Sequence, residues 1–211
     1  MKKRKISPKK IIRFIVIMLL LIALIVAVIL FLTNKKPAKK PVKVEDEIKG
    51  YGYKLDNNET AYYKELFKKL KTTLESKEVD QDKYASLVGQ LFLADFFNLD
   101  NKNSKNDIGG VQFVYTEFQP DFIKLAKEGM YNIVVNKSSG IKDDLALPQV
   151  TKVEVSNLEH VNHSYLETSD EDAIKLELKI IYKEDLDYQD TTTLILVHQG
   201  KKLEIVEMTE E

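Results

Sequence analysis

Apolar residues along this chain follow three successive patterns: an unbroken run, a helical period and an alternation. Phe14–Leu32 is a run of nineteen apolar residues without a charge, proline or glycine. At about 1.5 Å rise per residue a helix of that length covers roughly 28 Å, close to the ~30 Å hydrocarbon core of a bilayer. The pattern therefore predicts one transmembrane helix over 14–32, a single-pass anchor. The run exceeds the ~7–15 residues of a secretory leader core, and Phe31 and Leu32 stand where a cleavage site wants small residues.

Beyond it, Thr33–Val44 mixes lysines with Pro37 and Pro41, the composition of an extended spacer. Ile48–Leu55 sets Tyr51, Tyr53 and Leu55 against Gly50, Gly52 and Lys54, as a short strand or an extended lead-in. From Glu59 to Ser76 the residues Tyr63, Leu66, Phe67, Leu70 and Leu74 fall at helical spacing, with Asn57 and Asn58 before them as capping residues. Asp80 caps a second predicted helix reaching Leu99. There Tyr84, Leu87, Val88, Leu91, Phe92 and Phe96 form a stripe, widened by Leu93, Ala94 and Phe97. A helix apolar nearly all round belongs at the centre of a domain. Asp100–Asp107 is a polar loop ended by Gly109-Gly110, and Val111–Phe118 reads as a short strand or packed loop. Pro120 then opens a third helix over Asp121–Val135.

From Val150 the period falls to two. Ala173–Lys183 places Ile174, Leu176, Leu178, Ile180 and Tyr182 on one face and mainly lysine or glutamate on the other. Val150–Leu158 is a weaker strand, and Thr191–His198 with Leu203–Met208 reads as a hairpin around Gln199–Lys202. The Asn- and Ser-bearing stretch Glu159–Glu167 reads as a loop between strands. Helices followed by antiparallel strands predict an α+β domain, about three helices on a curved sheet with one wet face. The parts are a basic tail 1–13, the span 14–32, a Lys/Pro stalk and lead-in 33–58, a domain 59–208 and an acidic tail 209–211.

Charge sharpens this division. The first 43 residues hold 12 of the 32 Lys and Arg and no acid, leaving 20 cations against 33 acids, a net of −13, in the rest. A domain so acidic is a poor partner for nucleic acid, whose affinity depends on clustered cations. Seven cations precede the apolar run and five follow it. That bias places the N-terminus in the cytoplasm and the domain outside the cell membrane. With no cysteine there is no disulfide, thiol nucleophile or cysteine-metal site.

Candidate chemistry is sparse. Asp95 is the one carboxylate inside the apolar run LFLADFFNL; buried, it needs partners or a raised pKa, and it is the sharpest candidate for chemistry. His160 and His163 form H-x-x-H beside Glu159 and Glu167, but a metal needs three or four converging groups, and a loop does not align them. His198 ends a strand as a turn residue. Asp100-Asn101-Lys102-Asn103 has lysines where a calcium loop alternates oxygens. Gly109-Gly110 lacks the Lys-Ser/Thr of a phosphate loop. The aromatic residues Phe113, Tyr115, Phe118 and Phe122 are core, or line a pocket. No cofactor, metal or catalytic set is expected.

The element order over residues 59–208, helices and then an antiparallel meander behind an anchor and stalk, resembles the VirB8-type membrane proteins. Their outer domain has the NTF2-like (cystatin-like) cone fold. NTF2-like domains include enzymes, ligand binders and scaffold modules. The anchor, the stalk and an acidic α+β domain without catalytic signatures point to a non-enzymatic interaction or scaffold module of a bacterial envelope assembly, with the bilayer, other envelope proteins or itself as partners. The resemblance carries no motif and so no functional residues. The alternatives are an anchored binder of a small ligand or cell-wall component in the cone, and an Asp95-based enzyme.

Overall fold

The computed structural model describes residues 18, 24, 26, 42–134 and 146–210. The chain divides into two units, Met1–Lys40 and Pro41–Glu211. In the first, Met18, Leu24 and Val26 are helical, and the rest of the expected span 14–32 lies outside the described residues. Among the described residues no helix is long and apolar enough to cross a membrane. This corrects the expectation of a transmembrane helix, and with it the membrane and single-pass description of the fold. What the structure supports is the α+β part, three helices and two sheets among the described residues of the second unit.

The second unit opens with a hairpin, β1 (Val44–Ile48) and β2 (Tyr53–Asp56), joined by a turn in which Gly50 and Gly52 take positive φ. Residues read as stalk and lead-in are therefore partly folded. Its inward side chains, Ile48, Tyr53 and Leu55, join the main core. Helix α1 (Ala61–Leu74) begins at Thr60, whose hydroxyl accepts from Tyr63 N, rather than at Asn57 or Asn58. Helix α2 (Gln81–Phe96) has Asp80 as its cap, accepting from Lys83 N, and stops three residues short of the expected Leu99. Helix α3 (Gln119–Glu128) carries Pro120 in its first turn. It ends at Gly129, and the expected continuation to Val135 is replaced by a tight turn, Met130–Ile133.

The second sheet is an antiparallel meander in the order β3 (Val150–Tyr165), β4 (Thr168–Tyr182), β5 (Thr191–Gln199), β6 (Lys202–Glu210). Glu159–Glu167 is not a loop. It completes β3 and turns directly into β4 through Leu166, at φ 50°. Three register shifts along β3, at Val150/Lys152, Val155/Asn157 and Val161/His163, break the alternation that would have shown this stretch to be a strand.

Helix α2 lies across β3, β4 and β6. At Gly89 an added Cβ would come within 2.8 Å of the Leu176 side chain, so glycine sets the closeness of helix to sheet. Leu70, Leu91, Phe92, Leu93, Ile174 and Phe113 are fully buried in this layer, each contributing about 2 kcal/mol of apolar burial. Val111–Phe118 is neither strand nor plain loop but two tight turns, between which Val114 pairs with Ile205 at the edge of β6. On the other face of the sheet Tyr165, Ala173, Ile195 and Val197 form a second, smaller core with Tyr115 and Val161.

Candidate functional site

Asp95 is in the last turn of α2 and only 7 % exposed. A carboxylate there faces the negative end of the helix dipole and has lost its water, so it needs compensation from elsewhere. Lys102 supplies it. The polar loop folds back over the end of α2 through the turn Leu99–Asn101, and the Lys102 ammonium, 2 % exposed, reaches the Asp95 Oδ1 atom. Oδ2 accepts from Gly110 N at 2.7 Å. Gly109 makes that approach possible, because an added Cβ would collide with the Asp95 backbone and carboxylate. Tyr131 closes the group, accepting from Gly109 N at 3.0 Å and donating to Phe96 O at 2.7 Å.

Burial disfavours the charged ammonium of Lys102, but the Asp95 charge, with Glu59, outweighs it and holds the pKa above the ordinary lysine value. Glu59 shows the opposite balance. Burial, reinforced by the Asp95 charge, pushes its carboxyl up to about 8 against the pull of Lys102. Lys102 is therefore held as the cation of the pair, and Glu59 keeps its proton to a pH well above the ordinary carboxyl range.

As a candidate base Asp95 is thus fully engaged. A general base must come within hydrogen-bond reach of a substrate proton. Here both oxygens are bound to groups that pin residues 102–110 to the end of α2, so the geometry gives Asp95 a structural task.

The histidines are strand residues. His160 Nδ1 lies 2.7 Å from Asp172 Oδ1, and Nε2 lies 2.9 Å from Asp82 Oδ1 in the first turn of α2. His163 stacks on Tyr165 and approaches Glu207 at 3.7 Å. His198 is bound to Asp170, which accepts from its backbone N–H at 2.7 Å and lies 2.9 Å from Nδ1. Burial raises the Asp170 carboxyl, but the bonds from His198 and the Asp172 N–H prevail and hold it below the usual range. His160 and His163 therefore serve separate acids rather than one metal. Among the described residues no three His, Asp or Glu side chains gather to hold a metal ion.

The four aromatic residues part company. Phe113 is buried against Tyr53, Phe122 packs on Phe92 and Phe96, and Tyr115 packs on Phe118 and Tyr165 over the other face of the sheet. A groove of about 390 Å³ lies between β1 and the end of α1, lined by Asp46, Ile48, Tyr51, Lys71 and Leu74 among others, and none of the sequence candidates reaches it. Two features escaped the sequence reading. Lys102 sits in a polar loop that gives no sign of burial, and Glu59 sits at a helix start where acids are ordinary. No family model, no curated protein and no solved structure matches this chain.

Proposed function

We propose that the folded part of this chain is a non-enzymatic interaction or scaffold module that docks a second copy of itself or another bacterial envelope protein. The observation that carries the reading is the β3–β4 hairpin. Its strands stay paired from Val150↔Tyr182 to Tyr165↔Thr168, whereas β4 and β5 pair only from Lys179↔Thr191 to Ile174↔Leu196. The outer part, 160–173, is an arm that runs beyond that pairing and ends at the exposed Leu166. In it β3 is an edge strand, and unpaired edge amides and carbonyls are a template for a partner's strand. At Val153, by contrast, the edge is already occupied, with N–H donated to the Tyr62 hydroxyl and the carbonyl accepting from Gln90. The structural task of Asp95 also favours a module over an enzyme.

Placement of the folded part outside the cytoplasm belongs to the same proposal. Its support is the uneven charge about the apolar run, seven cations before it and five after. The likeness to VirB8-type ectodomains is likewise part of the proposal, supported by helices preceding an antiparallel meander.

Photocrosslinking in intact cells tests it. A crosslinker in place of Leu166 in the full-length protein is expected to give a discrete protein adduct, and one in place of Lys68, exposed on α1, is not. No adduct from the arm, or the same adducts from both positions, would overturn the reading.

A further inference from the structure

The chain has three histidines, and all three meet acids at or beside the β3–β4 arm. His160 is the one that joins the arm to a helix. It pairs with Ile174 at the root of the arm and lies across the first turn of α2. Its two ring nitrogens lie 2.7 Å and 2.9 Å from carboxylate oxygens of Asp172, on β4, and Asp82, on α2.

A neutral imidazole has one N–H and one lone pair, so it satisfies only one of two carboxylates; the imidazolium donates to both. Since imidazole binds a proton more than two pH units above a carboxylate, the extra proton of this trio resides on the ring. From α2 the charged group facing the ring is Asp82 and from β4 it is Asp172.

We propose that His160 is a proton-operated clamp between the β3–β4 arm and the N-terminal end of α2, closed when the ring carries both protons. Loss of one proton sets a nitrogen lone pair against a carboxylate lone pair at under 3 Å, and one of the two bonds must open. The neutral ring serves either the arm or the helix, not both. The hydrogen bond from Asp82, followed by that from Asp172, holds the His160 pKa above the ordinary imidazole value. The direction follows: the clamp is complete below the unfolded midpoint of about 6.5 and is lost as pH rises through the elevated folded midpoint. This reaches beyond the docking role, since the clamp stands or falls whether or not the arm binds a partner.

Histidine-labelled full-length protein, followed by NMR, tests the ring directly. The His160 midpoint is expected to fall in both Asp82→Asn and Asp172→Asn. A double-mutant cycle between Asp82→Asn and His160→Gln then reads the link between the elements. We expect a coupling of roughly threefold in the unfolding constant at pH 5.5, the size of an exposed ion pair, and none at pH 9. A cycle is needed because Asp82 also favours the start of α2 at either pH. A His160 midpoint identical in wild type and both variants, or a coupling that does not change with pH, would overturn the clamp.

Discussion

Helix α2 carries an aspartate paired with a cation at each end. At the C-terminal end Asp95 is buried, opposes the helix dipole and holds a lysine that is itself 2 % exposed. At the N-terminal end Asp82 is open to water, agrees with the dipole and holds an imidazole. The difference lies in what can be given up. Asp95 and Lys102 were stripped of water together, so neither can lose its partner without leaving a charge stranded in the core. Asp82 is rehydrated the moment His160 lets go. Burial makes the first pair a fixed part of the architecture, and exposure together with a group that titrates near neutrality makes the second reversible.

The contrast is broken most severely from the buried side. Lys102→Met is expected to cost about 3–5 kcal/mol, because it leaves Asp95 buried and unpaired. Chemical denaturation of this variant beside Asp95→Leu/Lys102→Met checks it, and the double variant should recover much of the loss. Equal losses in the two would mean that water reaches Asp95 freely.

Glu59 sharpens the comparison, being a half-buried acid within reach of the charges of that pair that still titrates. Its folded pKa, about 8, lies above the unfolded value of 4.5, so the folded form binds more protons between the two. Stability from this group is full below pH 4.5 and drains away as pH rises to about 8. Glu59→Gln should therefore gain on the wild type steadily from pH 5 to pH 8.5 in thermal melts. A gap between the two proteins that stays constant across that range would show that Glu59 is not shielded.

The smallest effect is expected in the arm. Asp170 has its pKa held down in the folded state, so its contribution is present above the ordinary 3.8 and lost as pH falls through the lowered value. Asp170→Asn should cost less than about 1 kcal/mol at pH 6 and less still at pH 2.5. Unfolding curves at the two pH values decide it, and a cost that persists undiminished in acid would assign the effect to packing.

Much of the fold is legible where burial is one-sided or complete. The alternation Ile174–Tyr182 identified β4, because one face meets α2 and the other meets water, and the all-round apolarity of α2 announced its central position. The arm was misread for a matching reason: its register shifts interrupt the period, and its polar residues face side chains rather than a core. Asp95 was recognisable as an odd charge in an apolar helix. Its partner was not, since Lys102 is buried by the path of the loop rather than by its neighbours in sequence. The capping of α1 by Thr60 in place of Asn57 or Asn58 is a competition among similar side chains that backbone geometry settled.

One bond pattern in the core also governs when this chain can fold. Tyr53 donates to Leu203 O at 2.9 Å, Leu203 N donates to Tyr84 at 2.9 Å, and the two hydroxyls meet at 2.7 Å. A hairpin near the start of the domain, its central helix and its final strand thus share one knot, spanning 150 residues between Tyr53 and Leu203. During synthesis the helices emerge long before β6, and until it arrives these two phenols have only each other. Closure of this part of the core therefore waits for nearly the whole domain to leave the ribosome, and so long-range a contact makes folding slow.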